Sequence, residues 1–425
     1  MLPVTQAESI ILELVQPLDR QRDVETVDLL TAVGRILAAP VTSFLDFPHW
    51  DNSAMDGYAV RFTDVEASST DKPTILEIIE EIPAGYQPQL SVEPGQAARI
   101  FTGALMPTGA DTVVMQEETR REGDRVFILT PPTQPQAFVR SKGAFYQAGT
   151  PLLASGTVLH GPEIALLAAA QCTQVPVYRR LRIAILSTGD ELVSPDQPLK
   201  PGQLVDSNQY ALAALVAQLG AEPICLGIIP DRKEALSHAI AQAVATADVV
   251  LSTGGVSVGE YDYVEEILTS LGGDIHIHAV AIKPGKPLTV ATVPPKPDAD
   301  KPAATPQTPG PILYFGLPGN PVSTLVTFWR FVQPALNKLS GKPEGWGPTF
   351  VQARSQVDLR SNGKQETYIW GQLHLFAGTY EFTPATGSQN SANLINLANM
   401  TGLAVIPVTQ TWIQAGDFVQ VLKIK

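Results

Sequence analysis

The chain has 425 residues, too many for one hydrophobic core, so two to four domains are expected. A net charge of −13 leaves no broad basic face of the kind that sequence-independent nucleic-acid binding needs. The longest apolar run, 164–170, is far too short for a membrane span, and no basic region followed by an apolar run opens the chain, so a cytoplasmic protein with no membrane partner is expected.

In chain order, Thr5 and Glu8 have the spacing of a capping box. Ile10, Ile11, Leu14, Val15 and Leu18 repeat with helical period behind them. A second apolar stretch covers 29–37. From 47 to 136 the pattern is β: "TILEIIEEI", "AARIFTG", "DTVVMQEE" and "RVFILT" are short β-branched runs separated by Pro and Gly. Helical character resumes with "GPEIALLAAAQ", where Pro162 suits a first turn. The expected division is a discontinuous N-terminal domain (1–46 and 137–178) interrupted by an inserted β domain (47–136).

Residues 179–340 alternate strand and helix. "LRIAILSTG", "PICLGIIPD", "DVVLSTGG" and "IHIHAVAIKPG" read as strands. "SNQYALAALVAQLG", with Ser207 as cap and Gly220 as stop, "RKEALSHAIAQAVA" and "DYVEEILTSLG" read as helices. Two more strands, "PLTVATV" and "ILYFGLPG", precede a helix from about Pro321. This order implies an α/β domain with a mostly parallel sheet, whose ligands belong beyond the carboxyl ends of the strands. The Pro-rich stretch 294–311 is too polar to order itself and is expected to be a disordered excursion. Residues 345–425 return to β. Cys172 and Cys225 have no metal spacing and are expected to be buried free thiols.

The polar motifs fall at the strand ends. "STGDEL" (187–192) offers Ser187, Thr188 and the backbone around Gly189 to phosphate oxygens or a heterocycle, although turn capping explains it equally well alone. "STGGVSVGEYD" (252–262) is a second such turn, with Gly254, Gly255 and Ser257. Neither has the spacing of a dinucleotide fingerprint or a P-loop. "AIKPGKPL" sets Lys283 and Lys286 three apart across a Pro-Gly turn, which suits a compact anion, with two solvated lysines as the plainer alternative. "GLPGNPVS" turns on Pro318 and Pro321 and opens a helix near Ser323 whose amino end can meet an anion. Glu191, Asp231 and Asp262 are strand-end acids that could hold Mg²⁺ with substrate phosphate. His276 and His278 share a strand face and are read as a half-exposed face rather than a metal site. One stretch has no chemistry of its own: "DNSAMDGYAV" (51–60) carries Asp51 and Asp56 around a turn with no base or nucleophile beside them.

Taken together, "DNSAMDGYAVR", "RIFTGALMPTGADTVVMQE", "ILSTGDELV", "GIIPDRKEAL", "LSTGGVSVGEYDYV", "AIKPGKPL", "FGLPGNPVSTLVTF" and "GSQNSANL" resemble, over nearly the whole chain, the molybdopterin molybdenumtransferase family (MoeA), which includes the gephyrin E domain. The resemblance implies an enzyme that takes adenylylated molybdopterin and molybdate with Mg²⁺, releases AMP and places molybdenum on the dithiolene. It also implies a four-domain homodimer with a molybdopterin-binding α/β domain and a β-barrel-like C-terminal domain, and a molybdopterin adenylyltransferase as substrate donor. The cleft would be completed by the second domain of the partner subunit. Carried onto this chain, the catalytic acids and their neighbour are Asp51, Asp56, Thr102, Glu191, Asp231 and Asp262. The metal set is Glu191, Asp231 and Asp262, and the anion set includes Lys283, Lys286, Pro318, Pro321, Ser323 and Ser391.

The chain departs from the family pattern in three places. Ala144, Phe145 and Tyr146 stand where the family has an acid, Trp370 stands where it often has arginine, and Asn390 replaces a glycine. Arg354, Arg360 and Lys364 are the nearby cations that could compensate. Phe145 and Trp370 motivate a rival expectation, a paralogue that binds molybdopterin or serves as a scaffold without turnover. A molybdopterin adenylyltransferase on the same α/β domain is a third, weaker reading.

Overall fold

The computed structural model describes residues 1–254, 263–295 and 310–424. The stretches containing Gly255, Ser257, Asp262 and most of 294–311 lie outside the described residues. The chain forms two compact units, one of Met1–Ala39, Gly156–His160 and Pro176–Lys425, the other of Pro40–Ser155 and Gly161–Val175.

The smaller unit is built on a six-stranded sheet: β1 (Gly57–Val60), β2 (Thr74–Ile82), β3 (Gln96–Ile100), β4 (Thr112–Met115), β5 (Thr119–Glu122) and β6 (Arg125–Ile128), in the order β4-β1-β3-β2-β6-β5. Only β2 and β3 pair in parallel. Strand β1 lies between two neighbours and is buried along its length. Tyr58 and Val60 pack on one face with Leu76 and Val114, and Ala59 packs on the other with Ile100 and Val113. Gly57 is required by this pairing, since a Cβ there would lie 2.0 Å from the Val114 carbonyl oxygen. The second half of "DNSAMDGYAV" is therefore a central strand. Its four residues are too few to show a period.

The larger unit opens with α1 (Val4–Leu14), which buries Val4, Ala7 and Ile11. The expected capping box is not formed. Pro3 precedes the helix without a side-chain cap, and Glu8 is drawn instead to the buried guanidinium of Arg330. The α/β layer follows as β7 (Arg182–Thr188), α2 (Asn208–Gln218), β8 (Glu222–Ile229), α3 (Lys233–Thr246), β9 (Val249–Thr253), α4 (Tyr263–Ser270), β10 (Asp274–Ala279), β11 (Pro287–Val293) and β12 (Ile312–Leu317). The sheet order is β8-β7-β9-β12-β11-β10; the first four strands and β10 run in one direction, and β11 alone runs antiparallel between β12 and β10. Helix α2 packs on one face against Ile185 and Leu251, and α3 and α4 pack on the other against Leu186 and Val250. Ser207 does not cap α2 with its side chain; Asp206 does so instead, accepting from the Gln209 amide at 3.2 Å. Cys225 also departs from expectation. It sits on the edge strand β8 and is exposed, while Cys172 is half-buried.

After β12 the chain turns into α5 (Pro321–Thr327), a π turn (Phe328–Val332) and α6 (Gln333–Leu339). The C-terminal strands β13 (Phe350–Ser355), β14 (Glu366–Phe376), β15 (Thr379–Pro384), β16 (Gly402–Ile406) and β17 (Phe418–Lys423) close into a barrel in the order β14-β15-β13-β17-β16-β14. Ala353, Phe382, Ala404 and Val421 fill it, while Tyr368, Trp370 and Leu403 face outward into the core shared with the α/β layer. No helix among the described residues is long and apolar enough to cross a membrane.

Candidate active site

The strand order of the α/β sheet reverses between β7 and β9, and a crevice opens beyond their carboxyl ends, as it does in open parallel sheets. This cleft of about 580 Å³ is lined by Thr188, Glu191, Asp206, Asn208, Gly254 and Asn320. The backbone here is tightly fitted. A Cβ on Gly254 would lie 2.4 Å from the Thr188 carbonyl oxygen, and one on Gly189 would lie 2.7 Å from the Glu191 carboxylate. Asn208 donates to the Gly319 carbonyl at 2.7 Å, and Thr324 donates to that of Pro318 at 2.6 Å. These bonds fix the Pro-Gly-Asn-Pro turn at the amino end of α5.

Ser187 does not reach the cleft. It is fully buried in β7, where its hydroxyl meets that of Thr253 at 3.1 Å, so its role is to tie two strands. Thr188 is at the rim, with its buried hydroxyl beside Asp231 but without a well-formed hydrogen bond. The Asp231 amide donates to the Asp190 carboxylate at 3.2 Å. Partial burial, and then the charges of Asp190 and Glu191, raise the Asp231 carboxyl above its ordinary value. Three acids therefore lie close together at some electrostatic cost, with Glu191 lining the cleft. Among the described residues no group of three or more His, Cys, Asp or Glu side chains is arranged to hold a metal by itself. His276 bonds Thr292 and His278 bonds Glu265.

A second cleft of about 800 Å³ continues from the first, sharing Pro287, Asn320 and Ser323. Lys283, Lys286, Arg360, Asn390 and Ser391 line it. Both lysines are exposed and have no ion-pair partner among the described residues, so their charge is available to a ligand. The Ser391 carbonyl accepts from the Val322 amide at 3.1 Å, which brings the "GSQNS" loop to the start of α5. Of the three candidate compensating cations, only Arg360 lines the cleft. Arg354 stacks on Phe418 at 4.8 Å and donates to Gly416. Trp370 is 1% exposed, with its indole N–H buried and unpartnered.

The smaller unit places Asp51, Asp56 and Thr102 on adjacent turns. Asp56 accepts from the Thr102 amide at 2.7 Å and from its hydroxyl at 2.8 Å, and these bonds lower its pKa. Asp51 accepts from the Lys142 amide at 2.7 Å. Both acids thus hold loops in shape while keeping oxygens on the surface. Phe145 is 74% exposed. Sequence reasoning passed over Asp206, Asn208 and Asn362. The first two sit where β-to-α turns carry ligands, and that position is the signal that could have found them.

An α/β sheet with a polar crevice at its switch point, running into a cationic groove shared with a barrel, defines a multidomain protein built to hold a polyanionic small molecule. The chain belongs to the MoeA family: it matches "MoeA N-terminal region (domain I and II)" over 2–170, "Probable molybdopterin binding domain" over 184–338 and "MoeA C-terminal region (domain IV)" over 352–424. It is 61% identical over 424 residues to a molybdopterin molybdenumtransferase of Nostoc sp., covering 100% of this chain and 94% of the relative. It is 36% identical to that of Haemophilus influenzae, covering 85% and 83%. The crystal structure of a molybdopterin biosynthesis moeA protein from Pyrococcus horikoshii superposes with a TM-score of 0.81 at 28% identity, covering 100% of both chains.

Proposed function

We propose that this protein inserts molybdenum from molybdate into adenylylated molybdopterin and releases AMP. The observation that carries the reading is the continuous groove in which Lys283, Lys286 and Arg360 face Ser323, Ser391 and the amino end of α5. A tetrahedral dianion is matched by point charges on a rigid turn and by hydroxyl donors. The phosphate and pterin portions belong in the adjoining crevice, over Thr188, Gly189, Gly254 and Pro318, with Asp206 and Asn208 as polar partners.

Mg²⁺ suits the acidic end of that crevice. Glu191 and Asp231, with Asp262, would hold it together with substrate phosphate oxygens and water. When bound, the ion would supply charge neutralisation at the phosphoanhydride. It would also offset the burial, and then the neighbouring charges, that raise the Asp231 carboxyl. The chain's own part is to orient both anions in one groove so that AMP departs where molybdate is held.

The protein is further proposed to act as a cytoplasmic homodimer in which Asp51, Asp56 and Thr102 complete the partner's cleft, with a molybdopterin adenylyltransferase supplying the substrate. Its division into 1–46 with 137–178, 47–136, 179–340 and 345–425 is part of the same reading. The test is molybdate- and Mg²⁺-dependent AMP release, compared between wild type and Asp262→Asn. Protein that binds the adenylylated substrate but never releases AMP would sink the proposal. The exposed Phe145 supports the rival, a turnover-deficient paralogue, for which Phe145→Asp should raise activity strongly. No gain would count against it.

A further inference from the structure

The N-terminal segment makes two separate attachments that converge on the lysine turn. First, Leu2 donates its amide to the Ala279 carbonyl at 3.0 Å and accepts from the Ala281 amide at 2.8 Å, two residues before Lys283. Second, Glu8 on α1 pairs both carboxylate oxygens with Arg330 at 2.8 Å. Arg330 is 3% exposed and sits in the π turn between α5 and α6. Its Nε donates to the Tyr368 hydroxyl at 3.0 Å, and that hydroxyl donates to Glu366 at 2.5 Å. Glu366 closes the ring by donating its amide to the Ala281 carbonyl at 2.9 Å, and Ile282 and Lys283 pair with Glu366 and Thr367.

We propose that this closed ring, running through Leu2, Glu8, Arg330, Tyr368, Glu366 and Ala281, is a positioning device that sets Lys283 in the anion groove. The inference rests on the functional reading above and deepens it. A charge buried as deeply as Arg330 is costly unless it is paired: Nη2 donates to Glu8 and Nε to Tyr368, while Nη1 lies at ion-pair distance from Glu8 without a hydrogen bond, and a π turn is itself an uncommon departure from helix. Arg330 is held on one side by Glu8 and on the other by a tyrosine hydroxyl that accepts from it and donates to Glu366. Core packing alone needs the Tyr368 ring but not its hydroxyl. Tyr368 and Thr367 also line the groove, so a shift of β14 moves its wall and the Lys283 strand together. Arg330, Tyr368 and Glu366 are therefore positioning residues; Lys283 is the group that meets the anion.

The experiment is AMP release from the full chain loaded with adenylylated molybdopterin, titrated with molybdate, for wild type, Tyr368→Phe, Glu366→Gln and Lys283→Ala. Tyr368→Phe keeps the ring and removes the relay. It is expected to raise the molybdate KM about tenfold, as for one lost charge-assisted bond, with kcat within about twofold. Glu366→Gln keeps the acceptor and should stay near wild type. Amide exchange at Glu366 and Val280 should speed up in Tyr368→Phe. If Tyr368→Phe fails to fold, Glu8→Gln, which drops the charge and sets an amide donor in place of one of the two oxygens facing Arg330, should raise KM in the same direction. Unchanged KM in folded Tyr368→Phe or Glu8→Gln, whatever their thermal stability, overturns the positioning role while Lys283→Ala still loses molybdate dependence. A wild type with no saturable molybdate dependence overturns the functional reading and the relay with it.

Discussion

At the scale of single residues, the two lysines were legible because proline and glycine fix their turn whatever the rest of the chain does. Arg360 was not, because Arg354 and Lys364 are equally near in sequence, and the barrel decides which of them faces the groove. Arg360→Ala is expected to raise the molybdate KM about fivefold to tenfold, an effect of the size of one partly exposed charged contact, with Arg360→Lys recovering part of it. Asp231 carries the opposite kind of cost. Its raised pKa means the folded state holds that proton more tightly than the unfolded chain. The group is therefore neutral and without penalty below the ordinary carboxylate range, and it destabilises the fold as pH rises through its raised value. Asp231→Asn should accordingly raise the Tm at pH 7, lose that advantage near pH 3, and lower Mg²⁺-dependent AMP release. Equal Tm values at pH 7 would contradict it.

At the scale of elements, the α/β order could be read because most strands are apolar runs and α2 and α4 stop at Gly220 and Gly272. Strand β1 could not. Its pattern is four buried residues behind a polar turn, and only the pairing of β3 and β4 on either side explains why "GYAV" is apolar on both faces. Gly57→Ala is expected to destabilise the smaller unit by at least about 1–3 kcal/mol, because the added Cβ meets backbone that cannot rotate away. Urea unfolding followed by exchange on β1, β3 and β4 measures it. The same lesson applies at α1, where Thr5 and Glu8 have the spacing of a capping box and a distant buried arginine outbids the local bond.

At the scale of the whole molecule, the proposed homodimer makes a test that no single chain can pass. If Asp56 acts in the partner's cleft, mixing inactive Asp56→Ala and Lys283→Ala chains should restore about a quarter of wild-type AMP release, since half of the dimers formed carry one intact site. No recovery would place both residues in one chain's site or remove Asp56 from it. The sequence by itself determined the family, the α/β core and the set of strand-end motifs, because backbone turns and apolar periods are local properties. Only the tertiary structure decided which of those motifs share a groove, that Ser187 is a buried tie rather than a ligand contact, and that Arg360 faces the lysines. It also revealed the ring from Glu8 to Glu366. Each of these depends on contacts between residues tens to hundreds of positions apart, which no local pattern encodes.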